Sequence, residues 1–467
     1  MKNLKEILKN DKEIWFVLKD NQKKDFLNWA KNNGLVWINK KQIEVEKDDC
    51  YCHMAVNNSK KEIANINAHC FFTEKEKPKI VYFDEVYEDV EFNNMNKYSY
   101  SGNVKTSIIT SESVNIGHPD KTCDTIADAF LDEALRQDKD SQMAVECAIK
   151  NDKIFIYGEA TTRAKIDYER IAKEVLKDIG YKCDFKVIKE ISEQSPDINQ
   201  AVIKTQLCAN DQGIIYGYAT NETKEYMPLP ILLAHKLMQR YDQFRRKTDN
   251  FYADAKSQVS VEYVSDKPKH ITTILISVSH SDKLSLEEIK NTIKKEVIDV
   301  VLKDYTNMVN ESTNYIINPS GKFTIWGSFG DSGCVGRKIV VDTYGGVGKV
   351  GGGCFSSKNA TKVDRSGAYY ARYVAKNIVA NGYADKCEIQ VSYGIGLAKP
   401  ISLNIDTFGT EKVALSEIYN YVNNNYDFSP QNIIDELGLL KPIYKNTACF
   451  GHFGRDEFPW ENVNVNK

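Results

Sequence analysis

One segment of this 467-residue chain is especially informative about its fold: Ser111-Glu-Ser-Val-Asn-Ile-Gly-His118-Pro-Asp120-Lys121. Proline suits the first position of a helix, so His118, Asp120 and Lys121 are expected to cluster where a strand gives way to a helix. A helix N-terminus favours phosphate, His118 and Lys121 add hydrogen-bond donors, and Asp120 can hold a hard cation that bridges the same phosphates. The alternative is an ordinary capped helix start.

Three more aspartates, Asp124, Asp128 and Asp132, follow on that helix at four-residue spacing. This spacing can be mistaken for a metal-binding stripe. We interpret it as the solvated or structural face of the helix, because charged residues at helical spacing usually serve that purpose.

From Thr106 onward, strand patterns alternate with helix patterns. Apolar alternation and a turn at Asn151-Asp152 predict a hairpin, and Gly382 predicts a helix end. The predicted elements are hairpin strands over residues 143–149 and 154–158, helices over 168–179, 227–240 and 364–380, and a strand over 338–344. The sequence therefore predicts an α/β fold with mixed sheets.

Length and composition limit the classes of protein to which this chain can belong. A chain of this length predicts two or three domains. The net charge of −3 gives no reason to expect nucleic acid or an acidic membrane as partner. We see no apolar run near twenty residues and no signal peptide, so a cytoplasmic location is expected. The eleven scattered cysteines are expected to be reduced thiols.

The first ninety residues predict a small α+β module, with a helix over residues 22–33 and short strands over 35–39 and 80–83. Residues 91–105 are polar and rich in Asn, Ser and Gly, which is typical of a linker. A zinc site is the alternative to a packed strand pair in this module, but the spacing is not the usual one. Its candidate ligands are Cys50, Cys52, His53, His69 and Cys70.

Two carboxylates fall in the predicted hairpin. Glu146 lies within an apolar strand, where it needs a basic partner or a bound monovalent cation. Glu159 ends the next strand and can meet an ammonium group. Taken alone, each is an ordinary candidate for a salt bridge.

The segment from Gly321 to Arg365 combines many cations with six glycines between residues 345 and 353. A polyphosphate needs close approach to backbone amides together with charge neutralisation, and this composition supplies both. The alternative is a glycine-rich surface loop flanked by solvated charges.

Residues 346–351 fit the dinucleotide fingerprint, but no helix is expected to open there, so we reject a Rossmann site. Val350 after Gly348-Lys349 also excludes a P-loop.

Together these segments resemble the S-adenosylmethionine synthetase (methionine adenosyltransferase) family over nearly all of residues 106–467. The shared stretches are SESVNIGHPDKTCDTIADAFLD, SEQSPDIN, DQGIIYGYATNET, MPLPILLAHKL, DAKSQV, INPSGKF, GRKIVVDTYGG, KVDRSGAYYARYVAKNIVANGYAD and GHFGRDEFPWE. Their order and length make the resemblance specific.

The resemblance implies that the methionine sulfur attacks C5′ of ATP and expels tripolyphosphate, which is then hydrolysed to phosphate and diphosphate. It implies three similar α/β domains, over residues 106–204 with the start of a mobile loop, 205–325 and 326–467, which interleave. It also implies a homodimer or homotetramer with active sites between subunits, two Mg²⁺ ions per site, and K⁺.

The resemblance further assigns roles to residues. The implied catalytic residues are His118, Lys121, Asp331, Arg337, Lys358 and Lys362. The implied ATP contacts are His118, Asp254, Ala255, Lys256, Lys322, Phe323, Asp331, Arg337, Lys338, Cys354 and Lys358. The implied methionine contacts are Glu159, Gln194, Asp331 and Lys362. The implied metal ligands are Asp120 and Asp364 for Mg²⁺ and Glu146 for K⁺.

This sequence departs from the family pattern at several positions. Lys322 replaces a common Arg and Cys354 a usual Ala, and both substitutes can keep their roles. Ser357 and Asn359 replace Gly and Asp, which predicts a stiffer loop. Asn210 replaces Gly, and the loop before Asp211 is shorter. Two alternatives remain: another ATP-dependent transferase or tripolyphosphatase on this scaffold, and a catalytically silent regulatory subunit.

Overall fold

The structure is a computed structural model that describes residues 106–193 and 207–464 and, before them, the five strands given below. The chain divides into two compact units, Met1–Lys97 and Tyr98–Lys467. Among the described residues of the first unit, the strands form one sheet of order β2-β4-β3-β1-β5. They are β1 (Glu13–Val17), β2 (Val36–Trp37), β3 (His53–Asn57), β4 (Glu62–Ile66) and β5 (Lys79–Tyr82).

The strands predicted over residues 35–39 and 80–83 are confirmed as β2 and β5. Strands β3 and β4 form an antiparallel pair, as expected for the segment between the candidate zinc ligands. The helix predicted over residues 22–33, the linker and four candidate zinc ligands lie outside the described residues. Those four are Cys50, Cys52, His69 and Cys70.

In the described part of the larger unit, eleven strands form three sheets, of order β10-β15-β16, β13-β12-β11-β6 and β14-β7-β8-β9. Two of the sheets are mixed, because β12 pairs with β13 and β8 with β9 in parallel. The strands are β6 (Thr106–Val114), β7 (Gln142–Lys150), β8 (Lys153–Thr161), β9 (Lys186–Ser192), β10 (Gly213–Thr220), β11 (Phe251–Val264), β12 (Lys267–His280), β13 (Asn314–Ile317), β14 (Gly333–Cys334), β15 (Lys386–Tyr393) and β16 (Ser402–Asp406).

Helices cover these sheets and enclose two hydrophobic cores. The α-helices are α1 (Pro119–Gln137), α2 (Tyr168–Ile179), α3 (Leu229–Arg245), α4 (Leu286–Ile293), α5 (Ile339–Asp342), α6 (Val363–Ala380), α7 (Leu415–Asn425) and α8 (Pro430–Leu437). Helix α4 continues through a π turn at Lys294–Ile298, one α turn at Asp299–Val301 and a 3-10 segment at Leu302–Met308. Other 3-10 turns lie at Gly327–Phe329, Lys445–Thr447 and Pro459–Glu461. No helix in the described residues is both long and apolar enough to span a membrane.

Local sequence signals explain the elements that were predicted. Helix α1 begins at Pro119, and His118 is its N-cap. The β7–β8 hairpin buries alternate residues and turns at Asn151, which has a φ of 52°. Helix α6 ends as expected, with Gly382 in the left-handed region at φ 79°. The predicted mixed α/β fold is confirmed, and no helix begins at the glycines of residues 345–353, so the rejection of a Rossmann site is also confirmed.

The prediction of a strand over residues 338–344 is wrong. This segment forms the short helix α5, in which the amide of Asp342 donates to the carbonyl of Lys338 at 2.9 Å. The Ile-Val-Val run favours a strand by local preference, but Asp342 is buried as the partner of Lys121. The tertiary ion pair therefore outweighs the preference of the β-branched residues.

Candidate active site

The N-terminus of α1 presents His118 as a neutral hydrogen-bond donor. Its Nδ1 accepts a hydrogen bond from the amide of Asp120 at 3.2 Å. A neutral imidazole with a lone pair on Nδ1 carries its proton on Nε2, which is then able to donate. Burial, and then the nearby Lys338 and Lys256, lowers the pKa of His118 to about 3, so the ring stays neutral at physiological pH.

Asp120 is buried beside two cations from the segment that follows β14. Its Oδ2 lies 2.7 Å from Lys338 Nζ, and its Oδ1 lies 3.4 Å from Arg337 Nη1 and accepts from the amide of Cys334 at 3.0 Å. Burial alone would raise the pKa of Asp120, but the hydrogen bond and charge of Lys338 lower it. The structure thus brings together His118, Asp120, Arg337 and Lys338.

Lys121 does not join this group. Its ammonium is buried between the carboxylates of Asp124, at 2.9 Å, and Asp342. Burial would lower the pKa of Lys121, but the two carboxylates raise it above its ordinary value. Lys121, expected to donate to phosphate, is therefore fully buried, and the structure does not bring it together with His118 and Asp120 as a ligand donor.

Asp254 is a second buried carboxylate near the first group. Its Oδ2 accepts from the amide of Gly327 at 2.9 Å, whereas Oδ1 is buried without a hydrogen-bond partner among the described residues. Burial raises the pKa of Asp254 to about 6, opposed by Lys256 and supported by Asp331. An unsatisfied buried acceptor of this kind suits a ligand that donates a hydrogen bond.

Phe323 is fixed by its backbone against β12. Its amide donates to His280 Nε2 at 3.1 Å, and its carbonyl accepts from the amide of His280 at 3.0 Å. Ala255 is fully buried in β11, and its carbonyl accepts from the amide of Asn115 at 2.9 Å. Lys322 is exposed, and Asp331 is exposed with its Oδ1 accepting from the amide of Ser332.

A second group forms at the start of α6. Lys358 Nζ lies 2.6 Å from Asp364 Oδ2, and both side chains are about one-fifth exposed. Gly353 packs so close to Asp364 that a Cβ on the glycine would overlap the carboxyl group at 2.1 Å. Burial, and then Lys358, lowers the pKa of Lys362, against the nearby carboxylates of Glu159, Asp211 and Asp364.

Glu146 and Glu159 lie on the hairpin without a protein cation. Glu146 accepts a hydrogen bond from the hydroxyl of Tyr157 at 3.3 Å. Within residues 106–193 and 207–464, neither carboxylate has a basic side chain at ion-pair distance, so the salt-bridge alternative has no partner in this part of the chain. Gln194 lies outside the described residues.

The aspartates of α1 connect this helix to the C-terminal part of the chain. Asp120, Asp124, Asp128 and Asp132, here called the aspartate row, are all buried. Each accepts backbone amides from the C-terminal part of the chain, so the solvated interpretation is wrong and the structural one is confirmed. The amides belong to Cys334, Gly336, Ser357, Tyr444 and Lys445.

Three positions that differ from the family pattern have distinct contacts or backbone conformations. The side-chain oxygen of Asn210 accepts from the amide of Val363 at 3.2 Å, which caps α6 in a way that glycine cannot. Asn359 accepts from the amide of Met143 at 3.1 Å and so ties the loop to β7. Ser357 adopts a φ of 78°, the left-handed region that favours glycine.

Three family models match the chain in succession. They are the N-terminal, central and C-terminal domains of S-adenosylmethionine synthetase, over residues 106–204, 206–323 and 325–462. This chain belongs to the S-adenosylmethionine synthetase family.

Curated relatives match this chain over nearly their whole length. The S-adenosylmethionine synthase of Mesoplasma florum is 48% identical over 368 residues, covering 76% of this chain and 97% of the relative. That of Oenococcus oeni is 49% identical over 373 residues, covering 76% and 96%. That of Clostridium botulinum is 46% identical over 381 residues, covering 76% and 97%.

The donor set is compatible with Mg²⁺ shared with phosphates. In the described part of the chain, no group of three or more His, Cys, Asp or Glu is placed to hold a metal ion. Mg²⁺ is commonly bound by one or two carboxylates together with substrate phosphates rather than by a full protein cage. Asp120 and Asp364 each contact a lysine in this structure. They fit that kind of site because substrate phosphates can bind the lysine ammonium groups and leave the carboxylates available for the metal.

Proposed function

We propose that this protein is a methionine adenosyltransferase that converts ATP, L-methionine and water to S-adenosyl-L-methionine, phosphate and diphosphate. The observation that carries the proposal is the pairing of Asp120 with Lys338 and of Asp364 with Lys358. Each pair offers a cation for phosphate and a carboxylate for a divalent metal. Membership of the family supports the same conclusion.

The first step requires alignment rather than a base. The sulfur of methionine carries no proton, so its lone pair forms the bond to C5′ while the bond from C5′ to the polyphosphate oxygen breaks. Negative charge grows on the departing tripolyphosphate, and donors placed along it lower the barrier. The neutral Nε2–H of His118 is one such donor, and the ammonium groups of Lys338 and Lys358 supply positive charge.

In the second step, water attacks a phosphorus of the tripolyphosphate and releases phosphate and diphosphate. The same cations neutralise the charge that develops on the phosphoryl oxygens. We assign Arg337 to this group, together with Lys338. We assign Lys362 and Glu159, whose charges interact, to the carboxylate and ammonium groups of methionine respectively.

For ATP, we assign Asp254 to a donor group of the nucleoside, because the polyphosphate chain offers no donor to a carboxylate at neutral pH. Lys256, Asp331 and the backbone of Ala255 extend this contact, and Phe323 supplies a ring for adenine. Lys322 and Cys354 complete the proposed ATP contacts, and Gln194 the methionine pocket.

We assign Asp120 and Asp364 to Mg²⁺ and Glu146 to K⁺. Bound Mg²⁺ supplies charge neutralisation for the polyphosphate. Glu146 fits a monovalent cation because it is partly buried in a strand, has a hydroxyl as partner and lacks a basic neighbour among the described residues.

We further propose a homo-oligomer with sites between subunits. The face of β7, β8 and β9 that carries Glu146 and Glu159 also exposes Phe155 and Ile188, 41% and 45% accessible. Apolar side chains next to functional carboxylates favour burial by a second copy. Light scattering on the full chain tests this, since a monomer that is fully active would contradict it.

The activity is tested by incubating the full chain with ATP, Mg²⁺ and K⁺, with and without methionine. We expect S-adenosylmethionine and diphosphate only with methionine. Release of phosphate that does not depend on methionine, without S-adenosylmethionine, would favour the tripolyphosphatase alternative. No turnover under any condition would favour the silent subunit.

A further inference from the structure

A buried ion pair joins α1 to the first turn of α6. The guanidinium of Arg365 donates two hydrogen bonds to the carboxylate of Asp128, at 2.7 and 2.8 Å, and neither side chain is exposed. Arg365 also donates to the hydroxyls of Tyr369 and Thr447, each at 3.0 Å. A buried charge that loses its partner is strongly unfavourable, so the two helices are held at this point.

This pair also determines the path of the loop that carries Lys358. Asp128 accepts from the hydroxyl of Ser356 at 2.9 Å and from the amide of Ser357 at 3.1 Å. Arg365 donates to the carbonyl of Lys358 at 3.1 Å. Three consecutive residues, 356, 357 and 358, are therefore bound to one ion pair, which also stabilises the left-handed conformation at Ser357.

Asp364 is placed by the same pair, because it immediately precedes Arg365 on α6. Its carboxylate meets the ammonium of Lys358 at 2.6 Å. The distance between Lys358 on the loop and Asp364 on α6 is therefore set by the buried ion pair of Asp128 with Arg365. Since Asp128 and Arg365 have no exposure, neither can touch a substrate.

We propose that Asp128 is a positioning residue that, through Arg365, keeps Lys358 and Asp364 in the relative placement that binds a tripolyphosphate chain with its divalent cation. The inference rests on the proposed function for the identity of this ligand. It extends that function to a residue outside the substrate contacts. Replacing a side chain that orients a metal ligand commonly lowers the affinity for the metal about 10- to 100-fold.

The test compares Asp128→Asn with Asp132→Asn in the full chain. Asp132 lies one helical turn further on, is equally buried, and accepts the amides of Tyr444 and Lys445 at 2.8 and 3.0 Å. It forms no hydrogen bond to residues 356–358 or to Arg365. The probe is inorganic tripolyphosphate with Mg²⁺, titrated calorimetrically, and the KM for methionine is measured in parallel.

We expect Asp128→Asn to weaken tripolyphosphate binding about tenfold or more while the KM for methionine changes less than about twofold. Asp132→Asn should bind tripolyphosphate as the unaltered chain does. Unaltered binding by Asp128→Asn, or an equal loss in both variants, would overturn the proposal.

If Asp128→Asn does not fold, Ser356→Ala decides the matter, because it removes only one hydrogen bond to Asp128. We expect about three- to fivefold weaker tripolyphosphate binding from this variant, and unaltered binding would overturn the proposal. An unaltered chain that binds tripolyphosphate but forms no S-adenosylmethionine would refute the proposed function alone. The positioning inference would then still be judged by the binding data.

Discussion

Lys338 Nζ lies 2.7 Å from Asp120 Oδ2, although we assign the lysine to the polyphosphate and the carboxylate to Mg²⁺. Under the proposed function, Asp120 would hold Mg²⁺ and Lys338 would neutralise the polyphosphate. The ion pair between them would then be replaced by two contacts with the substrate and its metal. Asp120 is buried and also bound to the amide of Cys334, so it stays in place during this exchange.

Replacement of Asp120 by Asn should reduce turnover far more than it reduces stability. The side-chain oxygen of Asn can still accept from the amide of Cys334, but it is a poor ligand for Mg²⁺. We expect at least about a 100-fold loss of kcat, with a thermal midpoint close to that of the unaltered chain. Steady-state assays over a range of Mg²⁺ concentrations measure this, and unchanged turnover at saturating Mg²⁺ would refute the metal role.

His118→Asn should slow adenosyl transfer by about 100-fold, because it removes a donor aimed at the leaving group. Methionine affinity should be roughly preserved, since His118 belongs to the group around Asp120 rather than to that around Lys362. Single-turnover formation of S-adenosylmethionine separates the two effects. A variant with normal transfer at saturating methionine and only a raised KM for methionine would contradict this assignment.

Much of the fold followed from local signals, whereas the missed features depend on distant residues. Pro119 and the hairpin turn at Asn151 act within a few residues, and both elements form as predicted. The strand predicted over 338–344 is wrong because a buried partner more than 200 positions away fixes Asp342. Asp128 likewise meets Arg365 across 237 positions, and spacing along one helix cannot reveal such a partner.

The KM for ATP should fall as pH rises from 5 to 8. The pKa of Asp254 is raised to about 6, so this carboxyl is mostly protonated at pH 5 and ionised above pH 7, where it can accept a hydrogen bond from the nucleoside. With that pKa, the KM at pH 5 should be about tenfold the value at pH 8. Asp254→Asn serves as the control, because the ionisation of ATP itself affects both proteins equally. The same pH dependence in both would exclude Asp254 as the cause.

Ser357→Gly should stabilise the protein. Ser357 has a φ of 78°, and its hydroxyl is buried without a hydrogen-bond partner among the described residues. Glycine removes the strain and keeps the amide bond to Asp128, so the free energy of unfolding should rise by about 1 kcal/mol. Ser356→Gly is the matched control and should destabilise, because the Ser356 hydroxyl donates to Asp128. Denaturant unfolding measures both variants, and a lower midpoint for Ser357→Gly would count against a strained loop.

The proposed reaction joins methionine to the adenosyl group of ATP. Mass spectrometry tests it through the products that the purified full chain forms from ATP and methionine labelled with ¹³C on the methyl group, with Mg²⁺ and K⁺. We expect S-adenosylmethionine that carries the label, with phosphate and diphosphate in equal amounts. Phosphate release without labelled S-adenosylmethionine, or at the same rate when methionine is omitted, would contradict it.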